Sequence, residues 1–147
     1  AGILQTQVAS VCDIFPTILD LLGIASPENH PVDGVGLAKL LTGKADDSRT
    51  ESFLMHYPHS PHRSDYFTVF RDGDWKLIYH YFPTEVSDGS HYQLYNLKND
   101  PFESTNVAGD HPKELDRLIK ALAHNLETQG ADYPVDENGI PLKPKVP

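Results

Sequence analysis

Arg71-Asp72-Gly73-Asp74-Trp75-Lys76-Leu77-Ile78 is the stretch that decides the fold. Aromatic and β-branched residues flank it over 66–71 and 75–82. Asp-Gly between two such runs is a strong hairpin signal, because glycine supplies the positive φ that a tight turn needs. Outward from the hairpin, 52–56 reads as a short strand and 91–97 as another. Pro58 and Pro61 break the chain on one side, and Asp88-Gly89 on the other. The expected core is an antiparallel meander of three or four strands.

Such a sheet has one face to cover. Leu115, Leu118, Ile119, Leu122 and Leu126 fall at i, i+3, i+4, i+7 and i+11, which is one apolar stripe of a helix. Pro112 suits its first turn, Asp110 or His111 its cap, and Gly130 its end. Asp116 and Lys120 form a favourable i,i+4 pair on its polar side. Pro134, Pro141, Pro144 and Pro147 make the tail extended.

Upstream, Ser10-Val11-Cys12-Asp13 fits a capping box, and Ile14, Phe15, Ile18, Leu19, Leu21 and Leu22 repeat at helical spacing up to Gly23. That helix is apolar on most sides and reads as a buried core helix, with Cys12 as a small core hydrophobe. A proline- and glycine-rich loop follows, then a short helix over 37–41 ended by Gly43. The polar run after Lys44 (Asp46, Asp47, Arg49, Glu51) is the best domain boundary, because composition shifts across it.

Twelve Lys and Arg stand against 21 Asp and Glu, a net charge of −9. That balance argues against nucleic-acid or anionic-membrane binding, both of which need a basic footprint. A single cysteine excludes an internal disulfide framework and a Cys-rich zinc knuckle. No run approaches the length of a membrane-spanning helix. The first residues are not a signal peptide and there is no initiating Met, so the chain is expected to be cut from something longer, or processed.

The chain has no glycine-rich phosphate loop, no H-E-x-x-H and no G-x-S-x-G. Asp33, Asp46, Asp47 and Glu51 form no metal-ligand pattern. Histidine is the unusual feature, eight in 147 residues. His56, His59 and His62 recur every third residue in Met-His-Tyr-Pro-His-Ser-Pro-His-Arg, but Pro58 and Pro61 forbid the helix that would align them as metal ligands. Loop ligands can still converge on a zinc ion, although no fourth ligand is evident, and two further readings stay open for this run. It is a proline-braced loop presenting His56, His59, His62 and Arg63 to an anionic or sugar-like ligand, with Arg63 as a planar fork for sulfate, phosphate or carboxylate. Alternatively, it is a surface loop with histidines at a strand end. His80 and Tyr92 are expected as cross-strand neighbours, and His30, His91, His111 and His124 as structural or solvated.

Five segments, taken in order, resemble the type I sulfatases of the alkaline-phosphatase superfamily. They are 13–24 (Asp13-Ile14-Phe15-Pro16-Thr17-Ile18-Leu19-Asp20-Leu21-Leu22-Gly23-Ile24), 33–43 with Asp33-Gly34 and Leu40-Leu41-Thr42-Gly43, His56-Tyr57-Pro58-His59, the hairpin 71–78, and Leu94-Tyr95-Asn96-Leu97 followed by Asp100-Pro101-Phe102-Glu103. The resemblance covers the C-terminal third of such an enzyme. It implies an α+β fold: an antiparallel four-stranded sheet packed by a C-terminal helix, preceded by helices from the end of a larger α/β domain. Residues 1–45 would end the catalytic domain and 46–147 would form the C-terminal domain.

The resemblance also implies a parent that hydrolyses sulfate esters of carbohydrate or aryl type, using calcium and a formylglycine made in a Cys/Ser-x-Pro-Ser-Arg motif. No such motif occurs here, so no catalytic residue, metal ligand or cofactor is assigned to this chain, and alone it is expected to be inactive. Its partners would be the N-terminal catalytic domain and, in the parent, a sulfated small molecule or carbohydrate. A bacterial parent would be periplasmic or secreted. His56, His59, His62 and Arg63 are the candidate wall of the substrate cleft; His56 and His59 match the family stretch. The alternatives are the C-terminal part of a related phosphodiesterase or phosphatase, and a free-standing binding or interaction module.

Overall fold

The computed structural model describes residues 2–58, 66–83 and 87–147. The chain divides into two compact units, Ala1–Glu51 and Ser52–Pro147. The division falls six residues beyond the boundary expected after residue 45. The reason is polar: Gln7 exchanges hydrogen bonds with the Asp46 backbone, and Arg49 reaches Val8, Asp13 and Val35, so residues 46–51 stay with the first unit.

In the first unit a 3-10 turn, Val11–Asp13, runs into α1, Ile14–Leu22. The Ser10 N–H donates to Asp13 Oδ2 at 2.8 Å, as the capping box requires. Gly23, at φ 65°, ends α1 in the left-handed region that glycine enters without penalty. A second helix, α2 (Ala38–Leu41), follows the loop.

The expectation of a buried α1 is overturned within this chain. Ile14, Phe15, Ile18, Leu21 and Leu22 are all exposed, and its buried residues are Pro16 and Thr17. Cys12 is exposed as well. The helical period shows which side chains need cover, and the described residues of this unit do not supply it.

The second unit is a four-stranded antiparallel sheet in chain order: β1 Ser52–Tyr57, β2 Phe67–Asp72, β3 Trp75–His80 and β4 Tyr92–Asn96. Asp72 pairs with Trp75, so the turn is Gly73-Asp74, with Gly73 at φ 57° in the first central position. Helix α3, Pro112–Thr128, begins on the expected proline. Its stripe Leu115, Leu118, Ile119, Leu122 and Leu126 is buried against Phe70, Leu77, Tyr79, Tyr81 and Leu94. Each such side chain contributes about 2 kcal/mol by leaving water. The fold is therefore the expected α+β arrangement.

Candidate functional site

Alternation along the strands places one residue in two on the α3 face. Cross-strand partners Leu54, Phe70, Leu77 and Leu94 form an apolar row across that face. Two residues further along, the corresponding row is His56, Thr68, Tyr79 and Tyr92. Here the core gives way to hydroxyls and an imidazole, at the sheet end where β1 stops at Tyr57 and β2 starts at Phe67.

His56 sits in this row with both ring nitrogens engaged. Nδ1 lies 2.7 Å from Thr68 Oγ1, and Nε2 lies 2.6 Å from the carbonyl oxygen of Asp132. Thr68 Oγ1 is in turn 2.8 Å from the Tyr81 hydroxyl. The ring meets Tyr81 and Tyr133 edge-on, each at 6.0 Å between centroids. Burial pushes the Tyr81 phenol well above its ordinary value, more than the Thr68 hydrogen bond lowers it. His59, His62 and Arg63, the other candidates for ligand contact, lie outside the described residues.

Two more imidazoles lie at the same end of the sheet. His80 is buried, with Nε2 2.9 Å from Gln93 Oε1 and, among the described residues, no partner for Nδ1. His91 donates from Nδ1 to the His80 carbonyl at 2.7 Å and stacks on Tyr79. The expected neighbour relation of His80 and Tyr92 is corrected by register: Tyr79 faces Tyr92, and His80 meets Gln93 diagonally.

Thr68, Tyr81 and Asp132 are the partners that sequence reasoning missed. Period two in 66–71 would have found Thr68, because it shares a face with Tyr66 and Phe70 and is a polar residue on a core-facing row. No local signal points to Asp132, which lies 76 positions from His56.

At the opposite end of the sheet, Lys76 Nζ contacts both carboxylate oxygens of Glu103, at 2.7 and 2.6 Å. Arg117 bridges Asp72 and Glu114. These ion pairs tie α3 and the segment after β4 to the sheet. Among the described residues, no group of three or more His, Cys, Asp or Glu could hold a metal ion. None of their helices is long and apolar enough to cross a membrane.

A family model described as "N-sulphoglucosamine sulphohydrolase, C-terminal" matches residues 2–132. The chain belongs to this family of sulfatase C-terminal regions. Arylsulfatase K of Mus musculus is 30% identical over 136 residues, covering 84% of this chain and 23% of that protein. A structure solved in complex with its substrate, D-glucosamine-2-N,6-O-disulfate, matches with a TM-score of 0.62 and 26% identity, over 80% of this chain and 24% of that one. The phosphonate monoester hydrolase of Agrobacterium radiobacter matches with a TM-score of 0.54 and 26% identity, over 90% and 28%. The chain thus spans about a quarter of the length of the proteins it matches.

Proposed function

We propose that the chain is the C-terminal part of an enzyme that hydrolyses sulfate esters of a sulfated carbohydrate or aryl compound, and that it builds part of the wall of that enzyme's substrate cleft. The family match over residues 2–132 carries this reading. The relative solved with a disulfated glucosamine supports a sulfated sugar as the substrate class.

A formylglycine nucleophile and a calcium ion are what the family implies. The sequence holds no Cys/Ser-x-Pro-Ser-Arg run, and among the described residues no cluster suits a metal. Both therefore belong to the catalytic domain, and the isolated chain does not turn over sulfate esters. What this chain supplies is position and charge. His59, His62 and Arg63 sit on the connection between β1 and β2, and Arg63 offers the fork that suits a sulfate group. His56 anchors the base of that connection. The uncovered side chains of α1 are the surface that the rest of the catalytic domain covers.

Phosphonate hydrolysis is the second reading, favoured by the likeness to phosphonate monoester hydrolase. The test is the full-length enzyme, assayed in parallel with sulfate and phosphonate monoesters. Sulfate release exceeding phosphonate release is the expected result; the reverse would sink the sulfatase reading. In the same assay His59→Ala/His62→Ala/Arg63→Ala is expected to lower kcat/KM at least tenfold without lowering Tm. An unchanged kcat/KM would remove the connection from the cleft.

A further inference from the structure

Thr68 is fully buried and Tyr81 is 3% exposed, so their hydroxyls must find partners inside the protein. They find them in one directed chain. The Asp132 carbonyl can only accept, so the His56 nitrogen beside it, Nε2, carries a proton. An imidazole with its single proton there accepts at Nδ1. Thr68, at 2.7 Å, is the nearer donor to Nδ1, while the Tyr81 hydroxyl stands at 3.4 Å. Thr68 therefore donates to His56, and its oxygen accepts from Tyr81 at 2.8 Å. With the imidazole neutral, each proton in the series Tyr81, Thr68, His56, Asp132 carbonyl has one place.

This chain joins β1, β2, the residue after β3 and the segment after α3 at one point of the sheet end. The β1–β2 connection leaves and returns there. Tyr57 and Phe67, its two strand ends, are direct cross-strand partners, and each is one residue from the network.

We propose that Thr68 and Tyr81 are positioning residues for the substrate cleft: their hydroxyls hold the His56 ring in one orientation and so fix the base of the β1–β2 connection. The inference rests on the cleft-wall reading given above. Neither residue touches substrate. Without the Thr68 hydroxyl, His56 Nδ1 loses its nearer donor and keeps only the Tyr81 hydroxyl at 3.4 Å, so the ring is held less firmly about its bond to Asp132.

The experiment compares Thr68→Val, Thr68→Ser and Tyr81→Phe in the full-length enzyme, with para-nitrophenyl sulfate as the probe. Thr68→Val is expected to raise KM about tenfold with kcat within about threefold of wild type. Thr68→Ser keeps the hydroxyl and is expected to recover most of the loss. A packing role predicts the opposite order, because Val keeps the methyl that Ser lacks. Equal losses in the Val and Ser variants, or an unchanged KM in a folded Val variant, would overturn the proposal. If Thr68→Val does not fold, Tyr81→Phe and the imidazole nitrogen-15 spectrum of the wild-type chain decide. His56 protonated at Nε2 supports the proposal, and protonation at Nδ1 alone overturns it. The His59→Ala/His62→Ala/Arg63→Ala variant separates the two layers of inference. If it leaves KM unchanged, the cleft wall itself fails; if it raises KM while Thr68→Val does not, only the positioning role fails.

Discussion

Arg49 Nη2 lies 2.8 Å from Asp13 Oδ2, and both side chains are almost wholly buried, at 6% and 7% exposure. The same guanidinium donates to the Val35 carbonyl at 2.6 Å and to the Val8 carbonyl at 3.0 Å. Asp13 also accepts from the Ser10 and Val35 N–H groups. One ion pair therefore ties together three stretches of a unit that has little regular structure of its own.

Breaking a buried pair leaves an uncompensated charge, which costs about 3 kcal/mol or more. Asp13→Asn is expected to destabilise the first unit by about that much; Arg49→Lys keeps the charge but cannot reproduce the planar fork that reaches Val8 and Val35, and should cost less. Hydrogen exchange reads the effect directly. The Val35 and Leu37 amides, which donate to Asp13 and Thr17, should lose protection while the amides of β3 keep theirs.

The core of the second unit gives a contrast on one helix. Leu122 is fully buried, and Leu122→Ala should cost about 3 kcal/mol in chemical unfolding followed by Trp75 fluorescence. Lys120→Ala removes an exposed i,i+4 pair with Asp116 and should cost less than about 0.5 kcal/mol.

Acid should loosen the first unit through Asp46. Lys39, at 2.9 Å, is the main cause holding its carboxyl down to about 2, and the Ser48 hydroxyl and N–H add to the effect. Asp13 is shifted in the same direction: burial opposes its charge, but the Ser10 and Val35 N–H groups and Arg49 outweigh it. A depressed folded value means that the unfolded chain takes up protons first as pH falls. The stabilisation is complete above the ordinary carboxylate value of about 3.9 and is lost as pH falls towards 2. Asp46→Asn should flatten the acid limb of a stability–pH curve and leave its neutral plateau flat.

The uncovered face of α1 should make the 147-residue chain sticky on its own. Ile18 and Leu21 are 49% and 63% exposed. Ile18→Glu/Leu21→Glu is expected to convert a concentration-dependent assembly into a monomer in sedimentation. In the full-length enzyme the same change should instead lower stability, because the face is covered there. A wild-type chain that stays monomeric at all concentrations would contradict the first expectation.

The hairpin at Gly73 and the α3 stripe were legible because turn chemistry and period are local, and both partners lie in the same unit. The α1 pattern was equally clear, yet burial could not be read from it: a period states a need for cover, not its source. Asp46 and Arg49 look like a linker in composition, but their bonds to Gln7 and Asp13 span 39 and 36 positions, which no window of sequence displays. The histidine run drew attention to His56 for its chemistry. Its orientation is set by Thr68 and by the distant Asp132 carbonyl, and so became visible only in three dimensions.

The order β1-β2-β3-β4 repeats the order of the chain, so each strand finds its partner among residues that have just preceded it. Little loop entropy is spent before the first pairs form, and the two-residue turn at Gly73-Asp74 closes at the lowest cost of all. The second unit is thus built to assemble quickly from its central hairpin outward. Helix α3, which follows β4, then seals a sheet that already exists.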